Sequence, residues 1–138
     1  MTKITLRKVL YDDKNLLFEW RNINELVQLS FLRQKVTLIE HNEWFDQRVN
    51  NPLFDLRIIQ LNNKDIGLVR MEGAQGSCEV SIYLVPGNQG KGFGFKALSK
   101  AINENTSFNT FNANVQIKNN QSQKLFLKLN FLEISRDR

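Results

Sequence analysis

The chain has 138 residues, of which 41% are apolar and 24% charged, with a net charge of +5 and one cysteine. This length and balance fit a single globular domain over residues 1–138, and the lone Cys78 excludes an internal disulfide. No run of roughly eighteen apolar residues predicts a membrane span, and Met1-Thr2-Lys3-Ile4-Thr5 carries no apolar signal core, so the expected compartment is the cytoplasm.

The basic residues are scattered, with no run of five or six, so the charge predicts a phosphorylated small molecule rather than nucleic acid or membrane. Ile4 and Leu6 alternate with Thr5 and Arg7, which predicts a first strand. Asp12 or Asp13 can cap a helix carrying Leu16, Leu17 and Trp20, and a second helical piece covers Asn24–Ser30. Thr37 and Glu40 have the spacing of a capping box. The helix they open is expected to carry Leu38, Phe45 and Val49 on one stripe, with His41 and Trp44 beside it.

Three strands follow, about Phe54–Leu61, Asp65–Glu72 and Ser77–Val85, joined at Asn62-Asn63-Lys64 and, more loosely, at Gly73–Gly76. In the third, Cys78, Val80, Ile82 and Leu84 face one side and Glu79, Ser81 and Tyr83 the other. A helix with Leu98, Ala101 and Ile102 comes next, then a strand over Asn112–Ile117. Asn119 or Asn120 caps a last helix with Leu125, Phe126 and Leu129, and Asn130 suits its left-handed C-terminal position. Phe131–Ile134 reads as a closing strand. The fold class is mixed α/β with an antiparallel centre.

The segment Gln89-Gly90-Lys91-Gly92-Phe93-Gly94 stands between a strand and a helix. Its glycines permit unusual backbone angles, its N–H groups can converge on an anion, and the helix adds its positive end. A Walker-type loop requires Gly-Lys-Ser/Thr, which is absent. Gly92-Phe93-Gly94-Phe95-Lys96-Ala97 fits a dinucleotide fingerprint in form. That motif wants an acidic residue about 20 positions on and a parallel βαβ unit opening the domain; the sequence has neither. Gln89, Gly92 and Gly94 match instead the pattern Gln/Arg-x-x-Gly-x-Gly/Ala.

With that loop the chain resembles the GNAT superfamily of acetyl-CoA-dependent N-acetyltransferases. The order of elements, the strand Glu79-Val80-Ser81-Ile82-Tyr83-Leu84-Val85-Pro86, and the stretch Asn119-Asn120-Gln121-Ser122 through Leu125-Phe126-Leu127-Lys128-Leu129-Asn130-Phe131 all resemble the family's. The resemblance implies acetyl-CoA as donor, with its pyrophosphate on Gln89, Gly90, Lys91, Gly92, Phe93 and Gly94. It also implies that the pantetheine arm pairs with the backbone of Leu84 and Val85, where the strand leaves its neighbour at a bulge. A backbone N–H near Leu84 would polarise the thioester carbonyl. Asn119 and Phe126 match cofactor-side positions. The family's usual tyrosine acid is replaced by Phe126, which leaves Tyr83, water or an unprotonated thiolate for that step. Glu79 is the candidate general base, the alternative being an ordinary surface residue. Cys78 reads as a buried small residue, and no metal is implied.

Trp20-Arg21-Asn22, Glu40-His41-Asn42-Glu43-Trp44-Phe45 and Gly67-Leu68-Val69-Arg70 resemble the nucleotide-sugar N-acetyltransferases of pseudaminic and legionaminic acid pathways. That resemblance makes Arg21, Asn22, His41, Trp44 and Arg70 candidate acceptor-binding residues: arginines for a diphosphate, a tryptophan to stack on a base or sugar, His41 as hydrogen-bond partner or auxiliary base. Structural roles for the tryptophans, Arg21 and His41 are the competing reading. Competing functions are a protein N-terminal acetyltransferase and a non-catalytic CoA-binding module. The family's seventh strand is missing from the pattern, and a homodimer completing the sheet is an expectation.

Overall fold

The computed structural model describes residues 2–30, 33–74 and 76–136. Its centre is an open mixed sheet in the order β1-β2-β3-β4-β5. The strands are β1 (Ile4–Lys8), β2 (Phe54–Leu61), β3 (Lys64–Ala74), β4 (Ser77–Leu84) and β5 (Thr110–Asn112). The first three junctions are antiparallel and the β4–β5 junction is parallel. The β2–β3 hairpin turns on Asn62 and Asn63, both at positive φ (50° and 73°), the conformation a two-residue primed turn requires. The next turn is tighter than Gly73–Gly76 suggested: Ala74 already pairs with Ser77. Gly76 there has φ +83°, and Gln75 lies outside the described residues.

Alternation along β4 divides its side chains between two cores. Cys78 and Val80, with Ile82 and Leu84 beside them, pack with Val69 and Met71 against α4 (Phe93–Glu104) and α5 (Asn120–Lys128). Tyr83 and Val85 join Leu56, Ile58 and Leu68 on the opposite face, under α1 (Lys14–Arg21) and α3 (Leu38–Arg48). The short α2 (Asn24–Leu29) buries Leu26 and Val27. No helix of the described residues is long and apolar enough to cross a membrane.

Several local expectations are corrected. Asp13 does not cap α1 with its side chain. Its carboxylate takes the Leu10 N–H at 2.8 Å and both terminal nitrogens of Arg7 at 2.9 Å, closing a short 3-10 turn over Tyr11–Asp13. The capping box on α3 is formed, with Glu40 N–H donating to Thr37 Oγ1 at 3.2 Å and Thr37 N–H to Glu40 Oε1 at 2.9 Å. The buried stripe of α3 is His41 and Phe45, with Val49 packed behind. Leu38, in the first turn, is 51% exposed.

The expected strand Asn112–Ile117 begins earlier and is shorter, pairing only at Thr110–Asn112. Phe131–Ile134 forms no strand, and Leu132 and Ile134 are 86% and 89% exposed. The reason lies in how α5 ends. Asn130 is left-handed (φ +69°), its N–H reaches Leu127 O at 3.0 Å, and Phe131 N–H reaches Phe126 O at 3.0 Å. This is a Schellman ending, and it carries the apolar contact that goes with one. The Phe126 and Phe131 rings meet edge-on at 5.0 Å. Phe131 is therefore held against the helix it has just left.

Candidate active site

The site starts from an unequal pairing. β5 covers β4 only at Ser77, Cys78 and Glu79, so the rest of β4 has a free edge on that side. Val85 N–H donates to Ile66 O at 2.7 Å, and Gly67 faces Leu84. Alternation in an antiparallel ladder then turns the N–H and C=O of Leu84 and Ile82 away from β3, toward the free edge. The expected pair Leu84 and Val85 is thus split. Leu84 presents its N–H to the opening, its C=O being taken by Gln89, whereas Val85 spends its N–H on Ile66 and its C=O on Asn88. Ile82 was not singled out from the sequence, because only the pairing shows which backbone groups are free. The opening comes from the shortness of β5; the irregularity in the sheet lies at Ile59/Gln60, where β2 meets β3.

The loop after β4 is strapped to it by Gln89. Gln89 Nε2 donates to Leu84 O at 2.8 Å, and Gln89 Oε1 accepts from Gly87 N–H at 3.0 Å. Lys91 Nζ reaches Gly87 O at 3.3 Å. Gly92 is the N-cap of α4 at φ +82°, and Gly90 has φ +76°. A Cβ on either would meet nothing within 4 Å, so these glycines serve backbone conformation and face open space. Gly94 differs in facing α5: a Cβ there would make ordinary contact with the Leu125 side chain at 3.4 Å. The N–H groups of Gly90, Lys91, Gly92, Phe93 and Gly94 have no acceptor among the described residues. Aligned at a helix start, they make a donor-rich cradle for a phosphate group. Phe93 is buried beneath it, and Asn119 caps α5 by accepting Ser122 N–H at 3.2 Å.

On the other face of β4 the substrate-side candidates gather around Trp44. Arg21, Arg48 and Arg70 place their guanidinium carbons 4.5, 5.0 and 5.7 Å from its ring centre, and His41 stacks on it at 5.7 Å. Trp44 therefore holds cations rather than offering a bare face to a base. Trp20 is core, edge-on to Tyr83 at 6.2 Å. Asn22 spends both ends of its amide on the backbone of Val36, at 2.8 and 3.0 Å, and so ties the end of α1 to the segment before α3.

The sequence reading missed Arg48 and Glu72. Arg48 Nε donates to Glu72 Oε1 at 3.1 Å, and Arg70 Nη1 stands 3.6 Å from the same oxygen. The signals were the four-residue spacing of Trp44 and Arg48 and the two-residue spacing of Arg70 and Glu72, which put each pair on one face. Glu72 lies directly opposite Glu79 across β3 and β4. Glu79 is exposed and makes no ion pair among the described residues.

Burial first, then the charges of Arg70 and Arg48, push Arg21 below the ordinary arginine value. Burial raises the Tyr83 phenol well above its ordinary value, and its hydroxyl has no partner among the described residues. Burial also lifts the Cys78 thiol to about 11, so it is an inert core residue.

A free strand edge beside a glycine-turned helix start, with an exposed carboxylate on the same strand, is an arrangement that suits an acyl-CoA transferase. The model of the acetyltransferase (GNAT) domain matches residues 3–132. The chain belongs to the GNAT acetyltransferase family. Its GNAT fold also superposes on solved structures. A domain from Methanocaldococcus jannaschii aligns with TM-score 0.88 and 23% identity, over 100% of this chain and 94% of that one. Spermidine N-acetyltransferase from Vibrio cholerae, solved with CoA and spermine, gives 0.82 and 19% over 96% and 82%. Aminoglycoside acetyltransferase AAC(6')-Ib, solved with coenzyme A, gives 0.76 and 20% over 94% and 84%. No curated protein sequence matches the chain. As a GNAT enzyme the protein is an N-acetyltransferase that takes its acetyl group from acetyl-CoA.

Proposed function

We propose that this GNAT enzyme acetylates a primary amine on a nucleotide-linked amino sugar. The observation that carries the reading is the convergence of Arg21, Trp44 and Arg70, from three separate stretches of sequence, on the face of β4 behind its free edge. Two guanidinium forks suit a diphosphate, which they grip by paired hydrogen bonds. Amine acceptors are found in the solved relatives, spermine in one and an aminoglycoside in another. Here Arg21, without a carboxylate partner among the described residues, and Arg70, only partly paired, make the acceptor side positive, which disfavours a polycation and favours an amine that carries phosphate.

Acetyl-CoA supplies an activated acyl group as its thioester. In this reading the Gly90–Gly94 N–H groups hold the pyrophosphate and the free edge of β4 receives the pantetheine arm by strand-like pairing. The N–H groups of Ile82 and Leu84 are the donors available to the carbonyl oxygen as negative charge grows on it. Asn119, the N-cap of α5, stands on the cofactor side in this reading; Phe126 does not line it, because it is buried in the core against Phe131. Glu79 takes the proton from the amine. It lies three residues before Ile82, about 10 Å away at about 3.3 Å per residue, so the proton travels through water. The Tyr83 phenol, raised by burial, is a weaker acid than a thiol near 8.5, so the thiolate departs without a residue protonating it.

The test is acetyl transfer to nucleoside-diphosphate amino sugars, spermine, an aminoglycoside and an N-terminal peptide at matched concentration. The expected result is a kcat/KM for a nucleotide-linked sugar at least about tenfold above the others, a difference of about 1.4 kcal/mol in transition-state binding. Preference for spermine or the peptide would refute the acceptor assignment.

A further inference from the structure

The three arginines around Trp44 are not equivalent. Arg48 is neutralised, with Nε on Glu72 Oε1 at 3.1 Å and Nη1 on Trp44 O at 3.1 Å. Arg70 is partly neutralised, with Nε on Ser81 Oγ at 3.0 Å and Nη1 3.6 Å from Glu72. Arg21 has no carboxylate within ion-pair distance among the described residues. Its polar contact is Nη1 to His41 Nδ1 at 3.1 Å.

The tautomer of His41 follows from its two neighbours. Its Nε2 lies 2.8 Å from Lys14 O, which can only accept, so Nε2 carries the proton. Its Nδ1 faces a guanidinium, which can only donate, so Nδ1 offers its lone pair. His41 is fully buried and neutral in this arrangement. The charges facing it, Arg21 and Lys14, are both positive. A neutral acceptor thus fixes the direction of Arg21 without cancelling its charge. A carboxylate at that position would have done both.

Tyr83 points to the same place. It shares the face of β4 with Ser81 and lies one diagonal step from Arg70, since Arg70 faces Ser81 and Leu68 faces Tyr83. Its hydroxyl is buried without an acceptor among the described residues, and the charges acting on it are those of Arg70 and Arg21. A buried donor without an acceptor is a rarity that asks for an explanation. An uncancelled guanidinium and an unused phenol O–H together ask for an anionic oxygen.

We infer that Arg21 and the Tyr83 hydroxyl, with Arg70 at the rim, form a subsite for one phosphate group of the acceptor, and that His41 is the positioning residue that aims Arg21 into it. This rests on the proposed acceptor-side location of the cluster and adds which donors act and what they refuse. The subsite excludes polycations by charge. It also separates the arginines by role: Arg21 binds, Arg70 assists and Arg48 maintains the fold.

The experiment is calorimetric titration of the full chain with its CoA loop saturated by coenzyme A, using as probes inorganic pyrophosphate, a nucleoside diphosphate and spermine. Wild type is expected to bind the two phosphate probes and not spermine. Arg21→Gln should weaken phosphate binding at least about tenfold and Tyr83→Phe about three- to tenfold, both with unchanged affinity for coenzyme A. His41→Gln, whose amide can still accept from Arg21, should keep most of the affinity, and His41→Leu should lose it. Arg21→Lys, which keeps the charge and loses the fork, guards against misfolding and should fall between wild type and Arg21→Gln. Equal phosphate binding in wild type and Arg21→Gln, or tight spermine binding, would overturn the subsite. Arg21-dependent pyrophosphate binding without acetylation of any nucleotide sugar leaves the subsite standing and defeats the acceptor proposal. Acetylation of a nucleotide sugar that ignores Arg21 does the reverse.

Discussion

Glu72 and Glu79 face each other across β3 and β4, and their environments separate them. Glu72 answers Arg48 and Arg70, at 3.1 and 3.6 Å. Glu79 has no such partner among the described residues and stands exposed on β4 where β5 stops covering it. A solvent-connected carboxylate without an ion-pair partner is free to meet water and substrate, whereas one held by two guanidinium groups is fixed in place. Glu79→Gln should therefore lower kcat about 100-fold or more at neutral pH, the scale of a lost general base. KM for acetyl-CoA should stay within about twofold, because Glu79 touches neither the loop nor the free edge at Leu84. Steady-state rates over a pH series would show it, and a loss under about threefold would remove Glu79 from the proton path. Glu72→Gln gives the contrast: its first effect should be on the arginine cluster and the acceptor KM.

At the scale of elements, the site depends on how helices begin and end. The capping box of Thr37 and Glu40 starts α3 at Leu38, three residues before His41 and six before Trp44. Thr37→Ala removes one acceptor from the first turn and is expected to destabilise the protein by about 1 kcal/mol in denaturant unfolding, with the slope of the transition unchanged. No change in midpoint would mean that tertiary packing alone holds α3. This cap was legible in the sequence because its chemistry is local: two side chains, three residues apart. The glycine loop was legible for the same reason. The ends of α5 and β5 were less so. Asn130 was readable as a left-handed residue, but Phe131–Ile134 alternates like a strand. The edge-on contact of Phe131 with Phe126 fixes the chain at the helix end instead. A strand requires a partner as well as a pattern, and the partner is not visible in one segment. The free backbone of Ile82 was hidden for a related reason, since it depends on where β5 stops.

At the scale of the whole molecule, three distant pieces meet at Arg7. Its side chain joins Asp13 of the turn before α1, at 2.9 Å, to Asp65 of β3, at 3.0 Å, and Arg7 itself sits on the edge strand β1. Gln60 donates to Asp65 as well, at 2.9 Å. Both carboxylates lie below their ordinary value of 3.8. For Asp65 the main cause is the hydrogen bonds from Arg7; for Asp13 burial opposes the shift, and the hydrogen bonds from Arg7 and from Leu10 N–H outweigh it. A depressed folded-state value means that the folded protein prefers the ionised form more than the unfolded chain does. The stabilisation is then complete above 3.8 and is lost as pH falls below it through the folded values. The network spans exposed and half-buried groups, so its worth is set at about 1 kcal/mol. Arg7→Gln should lower the melting temperature by a few degrees at pH 6, because a domain of this size shifts by about 2–8 °C per kcal/mol. The gap between wild type and variant should close as pH falls from 5 toward 2.5, since the variant lacks the part of the depression that Arg7 supplies and keeps only that from Leu10 N–H and Gln60. A gap that stays constant across that range would show that Arg7 stabilises the sheet edge by packing its stem, with its charge idle.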